Sequence, residues 1–144
     1  MHRLVVGIGS HQGDDQVGWS IVKQLQVRAN FTADFKLVAK PLDLLDILEQ
    51  CEELILIDAA EECDNDDVKF WKWPTTALLL CKSPGTHGFG LVEVLILADE
   101  MGLLPKNVTI VGIPMKNCSA LQPLQSYPLA SIEKIVEKLE TAYA

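Results

Sequence analysis

The chain is short of positive charge and of paired cysteines, and each shortage excludes a class of function. Twelve Lys and Arg residues stand against 20 Asp and Glu residues, so the formal net charge is −8 at pH 7. A surface of that sign repels phosphate backbones, which argues against a nucleic-acid partner. The four cysteines are scattered without a C-x-x-C pair, so we expect neither a zinc knuckle nor a disulfide framework.

Long hydrophobic runs are also missing. No apolar stretch approaches the length that a bilayer-spanning helix needs, and the opening "MHRLVVGIGS" reaches glycine too early for a secretory signal. We therefore predict a cytoplasmic protein with no membrane partner. At 144 residues the chain is expected to form a single domain over 1–144, and its composition does not indicate an oligomeric state.

A nucleotide-binding loop is poorly matched, although the glycines of "GIGSHQG" (7–13) suggest one at first sight. The segment reads G-x-G-x-x-x-G, whereas the dinucleotide fingerprint is G-x-G-x-x-G and a P-loop needs Gly-Lys-Ser/Thr. Dinucleotide-binding folds carry an acid after the second strand, where this chain has "VAKP". The adjacent Asp14 and Asp15 would also repel a pyrophosphate. A nucleotide-binding α/β module is kept as the weakest alternative.

A serine or cysteine hydrolase has no better support. The G-x-S-x-G elbow is missing, and no cysteine lies in a segment that suggests activation of a thiol. The three histidines are His2, His11 and His87. A catalytic triad would almost have to use His87, and nothing in the sequence nominates its nucleophile.

Apolar runs alternate with helix-like segments along the whole chain. Runs typical of buried strands occupy 3–8, 35–39, 54–60, 75–81 and 108–113. Helical spacing covers 15–28, a short segment from Pro41 with Leu42, Leu45 and Leu48 on one stripe, 89–102 closed by Gly102, and an amphipathic 129–144. This alternation predicts an α/β fold with a mainly parallel sheet that is covered on both faces.

Polar side chains follow three of the predicted strands. Asp15 comes after the first strand, Asp58 ends the run "LILID", and His87 lies in "KSPGTHG" after the fourth strand. Because ligands bind at the carboxyl ends of parallel strands, we expect these side chains to meet at one edge of the sheet. Carboxylate and imidazole ligands suit a borderline divalent metal such as nickel or zinc. Taken singly, each residue has a plainer explanation, as a helix-end acid, a turn former or an exposed loop histidine.

The order of these motifs resembles that of the hydrogenase maturation proteases, which trim the nickel-containing large subunit of NiFe hydrogenases. The first landmark of that family, a glycine and acid loop after the opening strand, corresponds to "GIGSHQGDDQVG". The second and third correspond to "LILIDAA" and "SPGTHGFGLVEVL", and a further strand ending in V-G-I corresponds to "LPKNVTIVGI". The resemblance runs from Leu4 to about Pro114.

The resemblance implies a three-layer α/β/α sandwich with a twisted, mainly parallel sheet of about five strands. It implies an endopeptidase that removes the C-terminal extension of the NiFe-hydrogenase large-subunit precursor after nickel insertion. The metal ligands carried over by motif are Asp15, Asp58 and His87. The nickel would be supplied by the substrate, with cadmium or zinc as possible substitutes, and attack could use a metal-polarised carbonyl or a metal-bound water. A non-catalytic factor that binds the metal and the precursor is the main alternative.

Four departures from the family pattern concern the loops. Ser10 replaces the usual asparagine, and His11 lies in a first loop that is one residue shorter; we interpret His11 as a surface residue. The segment "AKPLDLLD" occupies the place of the family's glycine-rich "DGGT", and "PGTH" replaces "PH". Because the "DGGT" segment is linked to substrate recognition, the sequence does not identify which hydrogenase isoenzyme or cleavage site is used.

Overall fold

The computed structural model describes residues 2–9, 17–27, 32–48, 51–60, 69–74, 91–114 and 129–143. Within these ranges the strands are β1 (Arg3–Ile8), β2 (Asp34–Val38), β3 (Glu53–Ala60), β4 (Lys69–Lys72) and β5 (Asn107–Pro114). The helices are α1 (Val17–Gln26), α2 (Leu91–Glu100) and α3 (Leu129–Tyr143), with a 3₁₀ helix at Pro41–Asp46.

The five strands form one sheet in the order β2-β1-β3-β5-β4. The pairs β1–β2, β1–β3 and β3–β5 are parallel, and β4 runs antiparallel to β5. The prediction of a mainly parallel sheet is therefore confirmed. The antiparallel β4 at Lys69–Lys72 was not predicted, and the predicted strand at 75–81 lies outside the described residues.

Helices cover both faces of this sheet, which confirms the three-layer α/β/α architecture. One face packs against α1 and α3 through an apolar cluster of Val5, Ile21, Val22, Leu25, Ile55, Ile57, Val111, Ile113, Val136 and Leu139. The opposite face packs against α2 and the 3₁₀ helix through a second cluster that includes Leu4, Val6, Ile8, Leu44, Leu54, Leu56, Leu91, Val94, Leu95, Val108 and Ile110. Strand residues alternate between the two clusters, as the two-residue period of a strand requires.

The predicted apolar stripe of the short helix is confirmed in part: Leu48 is buried and Leu45 packs against the second apolar cluster, but Leu42 is exposed. Leu44 is fully buried, whereas Leu42 is 44% exposed. In a 3₁₀ helix the side chains three residues apart eclipse one another, so Pro41, Leu44 and Ile47 share a stripe. Leu44 packs toward the sheet together with Leu45, Ile47 and Leu48, which all belong to or contact the second apolar cluster.

Helix α2 ends as predicted, at a glycine. Gly102 has a φ of 72°, the left-handed conformation that closes a helix. Its N–H donates to the Asp99 carbonyl at 3.1 Å, and the Leu103 N–H donates to the Ala98 carbonyl at 2.9 Å. The short connection to Asn107, where β5 begins, brings the end of α2 to the amino edge of the sheet. Helix α2 therefore runs antiparallel to the strands, with Leu91 toward their carboxyl ends.

Within the parts of the chain that the structure describes, every helix is too short or too polar to cross a bilayer. The extent of the domain, 1–144, stays a prediction.

Candidate active site at the carboxyl edge of the sheet

Asp58 is the predicted site residue that the structure describes, and it lies deep in the sheet. It is 5% exposed and belongs to the central strand β3. In register it pairs with Ile8 of β1 on one side and with Gly112 of β5 on the other. Since Ile8 also pairs with Val38 of β2, these four residues form a row across the sheet, here called the edge row.

The structure confirms the predicted strand at 54–60, and it shows that the strand does not stop at the aspartate. Strand β3 continues to Ala60, paired with Pro114 of β5, whereas β1 ends at Ile8. Asp58 therefore lies inside β3, at the level where its neighbour β1 stops. The strand continues past the aspartate because β5 supplies pairing partners there, Ile113 for Ala59 and Pro114 for Ala60.

The edge row coincides with the topological switch point of the sheet. The chain leaves β1 toward β2 on one side, while β3 lies on the other side of β1. Crevices at such points, outside the carboxyl ends of the strands, are where open α/β sheets bind their ligands. Asp58 and Ile8 flank this point directly, so the buried carboxylate lies where a ligand is expected.

The first turn of α1 is fixed to the same edge. The Trp19 indole Nε1–H donates to the Val38 carbonyl at 3.1 Å, and the Gly9 N–H donates to the same oxygen at 3.0 Å. Helix α1 begins at Val17, so the chain enters it beside the edge row. This hydrogen bond was not predicted, because nothing in the sequence links Trp19 to the end of β2.

Asp15, His87 and His11 lie outside the described residues. For Asp15 and His87, the nearest described residues are helix starts. Asp15 precedes Val17 of α1, and His87 precedes Leu91 of α2. Within the described ranges alone, no group of three His, Cys, Asp or Glu side chains could hold a metal ion. The convergence of Asp15, Asp58 and His87 therefore stays a prediction.

An aromatic side chain that the sequence analysis did not single out covers the edge row next to Asp58. The Trp71 ring lies over Gly112, with Cη2 2.8 Å from the point where a Cβ at residue 112 would stand and Cζ3 closer still. Only glycine leaves room for a ring at that distance. A glycine inside an apolar strand often marks such a close approach, so Gly112 is the one feature of the sequence that indicates a side chain packed against β5 here.

Ionisable groups at the opposite, amino edge of the sheet are engaged in structural contacts. Arg3 Nε donates to Glu53 Oε1 at 2.7 Å, and His2 Nε2 is in contact with Asp34 Oδ2. The His2 carbonyl accepts from the N–H groups of Glu52 and Glu53 at 2.8 and 3.2 Å. These contacts join the starts of β1, β2 and β3.

Cys51 lies at the same amino edge, in surroundings that disfavour its thiolate form. Burial raises the pKa of its thiol, and a backbone hydrogen bond offsets part of that rise. The thiol donates to the Leu48 carbonyl at 3.6 Å. A raised pKa keeps the thiol protonated at neutral pH, which agrees with the expectation that no cysteine of this chain is activated as a nucleophile.

Comparison with known proteins settles the family. The sequence model of the HycI family, described as hydrogenase maturation protease, matches residues 19–142. The chain belongs to the hydrogenase maturation protease family. Membership of this family makes it a peptidase, and it confirms the resemblance carried by the motifs. A search of curated proteins found no significant match to this sequence.

Solved structures of similar fold carry related names. The hydrogenase maturating endopeptidase HybD from E. coli is 25% identical, with a TM-score of 0.79 over 99% of this chain and 91% of that one. The NiFe hydrogenase maturation protease HybD from Thermococcus kodakarensis is 19% identical, with a TM-score of 0.71 over 100% of both chains. The maturation protease HycI from Thermococcus kodakarensis KOD1 is 15% identical, with a TM-score of 0.72 over 97% of this chain and 90% of that one.

Proposed function

We propose that this peptidase removes the C-terminal extension of a NiFe-hydrogenase large-subunit precursor after nickel insertion, in the cytoplasm. We further propose that Asp15, Asp58 and His87 bind the nickel of that precursor and so direct cleavage. The observation that carries the proposal is the position of Asp58, a buried carboxylate on the central strand at the switch point of the sheet.

The surroundings of Asp58 favour a cation. Its register partners are Ile8 and Gly112, and Leu56 precedes it on the same face of β3. The same apolar surroundings strengthen the Coulomb attraction between the carboxylate and a metal ion.

One hydrogen bond and the direction of one helix support the participation of Asp15 and His87. The Trp19 bond to Val38 holds the first turn of α1 at the carboxyl edge, just after Asp15 in the chain. Helix α2 begins at Leu91 toward the same edge, just after His87. Both residues therefore lie on segments that lead into helices at the edge where Asp58 is buried.

The donor set fits nickel as a component of the substrate. Two carboxylates and one imidazole suit a borderline divalent ion, with further positions left to the ligands of the precursor. Nickel in the substrate supplies Lewis acidity near the cleaved bond. The residues of this chain would bind and orient the nickel-bearing segment, and the apolar wall of the sheet would exclude water from Asp58.

The test compares nickel-loaded with nickel-free precursor. Incubation of the nickel-loaded large-subunit precursor with the protein should give a shortened subunit in mass spectrometry, and nickel-free precursor should stay intact. The variants Asp15→Ala and His87→Ala should each leave the nickel-loaded precursor uncut. A tight complex with intact precursor would show a binding factor instead of a protease. Equal cleavage of nickel-free precursor would contradict metal recognition.

A further inference from the structure

We propose that the indole of Trp71 forms an apolar wall beside Asp58 and contacts an apolar side chain of the precursor next to the cleaved bond. Trp71 would thus determine specificity, and this inference rests on the proposed function. It extends that function from the metal to the peptide that carries the metal.

The direction of the Trp71 ring is the first step. In the antiparallel pairing of β4 with β5, Trp71 lies opposite Ile110. Its ring nevertheless covers Gly112, since Cη2 lies 2.8 Å from the Cβ position of residue 112 and Cε3 lies 3.6 Å from it. The side chain therefore leans along β5 toward the carboxyl edge of the sheet.

The second step places this ring beside Asp58. Gly112 and Asp58 are register partners on adjacent parallel strands. Register partners share a face of the sheet, as Leu56 and Ile110 do within the second apolar cluster. Adjacent strands lie about 4.8 Å apart, so the ring is one strand spacing from the strand position of the aspartate.

The third step concerns what such a wall can bind. Trp71 is half-buried against the second apolar cluster, so part of this residue remains accessible. A Trp ring offers a large, rigid apolar surface at a low cost in conformational entropy, and such residues dominate binding energies at interfaces. Next to a metal-binding carboxylate, the group it fits is an uncharged apolar side chain of the peptide that the metal positions.

Trp73 supplies a matched control in the same region. It has the same side chain, lies two residues further along, and packs against the same apolar cluster. The backbone N–H of Trp73 donates to the Val108 carbonyl at 3.0 Å. Val108 and Gly112 are four residues apart on β5, which is about 13 Å along a strand, so Trp73 lies far from the edge row.

The experiment measures the affinity for nickel-loaded precursor by calorimetry and single-turnover cleavage by mass spectrometry. Trp71→Leu should weaken binding about tenfold while the rate at saturating precursor stays within about twofold. Trp73→Leu should leave the affinity within about twofold, whatever it does to stability. In wild type labelled with ¹⁵N, the indole resonance of Trp71 should shift on saturation with precursor, and that of Trp73 should not.

Gly112→Ala tests the geometry with the tryptophan retained. The added methyl group should displace the ring and weaken binding, and this effect should vanish in a Trp71→Leu background, where no ring is left to displace. Normal binding by Trp71→Leu, or an unshifted Trp71 resonance in the saturated complex, would overturn the inference. If Trp71→Leu binds normally and the precursor is still cleaved, the inference about Trp71 is wrong and the proposed function remains supported. If wild type binds the precursor without cleaving it, the proposed function is wrong, whatever the role of Trp71.

Discussion

Two buried carboxylates on the central strand mark the two ends of the sheet and differ in their surroundings. Glu53 is 8% exposed and lies at the amino edge, where Arg3 of β1 donates to it at 2.7 Å. Asp58 is 5% exposed and lies at the carboxyl edge, between Ile8 and Gly112 in register. Five positions of one strand therefore separate an acid paired to a neighbouring strand from an acid at the ligand-binding edge.

Burial alone therefore does not distinguish an acid in a structural contact, such as Glu53, from an acid that is a candidate for ligand binding, such as Asp58. The amino edge uses its charges to hold strand starts together, through Arg3–Glu53 and His2–Asp34. The carboxyl edge is a switch point flanked by helix starts, the kind of place where open α/β sheets bind their ligands. Substitutions at the two edges should accordingly separate activity from stability.

The largest effect is expected at Asp58. Asp58→Asn keeps the shape of the side chain and removes its charge, so cleavage of nickel-loaded precursor should fall by at least about a hundredfold. The free energy of unfolding should change by no more than about 1 kcal/mol, because the amide retains hydrogen-bonding capacity. Single-turnover mass spectrometry and urea unfolding measure the two quantities. Asp58→Ala is less informative, since Asp58 is buried in β3 and not, as the sequence suggested, in a loop. Full activity of Asp58→Asn would remove the basis for the metal site.

The reverse pattern is expected at Glu53. Glu53→Gln leaves the charge of Arg3 partly buried without its ionic partner and should cost about 2 kcal/mol of unfolding free energy. Cleavage at saturating precursor should stay within about twofold of wild type, because the pair lies at the far edge. The double variant Arg3→Leu/Glu53→Leu should recover most of the stability, since apolar replacement of a buried pair is often neutral. A large loss of cleavage in folded Glu53→Gln would contradict the claim that the amino edge contributes to stability and not to activity.

A smaller effect is expected at Gly102, which closes α2 near the amino edge. Gly102→Ala must adopt a φ of 72°, a conformation that residues with a Cβ disfavour, although nothing lies within 4 Å of the added atom. We expect a loss of about 1 kcal/mol in unfolding free energy with unchanged cleavage. Gly102→Asn should lose less, because asparagine tolerates the left-handed region better. Equal losses for the two variants would show that backbone conformation is not the cause.

The smallest effect is expected at the exposed pair of His2 and Asp34. Their side chains are 44% and 63% exposed, so solvent and salt screen the interaction. Asp34→Asn should change the free energy of unfolding by less than about 0.5 kcal/mol, as measured in urea. A loss comparable to that of Glu53→Gln would mean that exposure does not set the strength of the contacts at this edge.

The sequence predicted those parts of the fold that local patterns determine. Fully apolar runs identified β1, β3 and β5, and the helical spacing and Gly102 identified α2 and its end. Strand β4, "KFWK", carries two lysines in four residues and has no buried-strand pattern, because it is an outermost strand in the order β2-β1-β3-β5-β4. The exposed Leu42 and buried Leu44 could not be distinguished without knowledge of which stripe meets the sheet.

The candidate site was predictable to the same degree. A lone acid in an apolar run identified Asp58, and the strand order confirms that it lies beside the switch point near the carboxyl ends of the strands. Register was not predictable, so the pairing of Asp58 with Ile8 and Gly112 and the contact of Trp71 with Gly112 appeared only in the structure. Asp15 and His87 stay predictions from motif and position.

The most direct test of the central claim is anomalous diffraction from crystals of this protein soaked with cadmium, as a substitute for the nickel of the precursor. We predict one strong anomalous peak at the carboxyl edge of the sheet, within bonding distance of an Asp58 carboxylate oxygen and of the Asp15 and His87 side chains. A cadmium ion bound elsewhere without Asp58, or no ordered cadmium at that edge, would contradict the account.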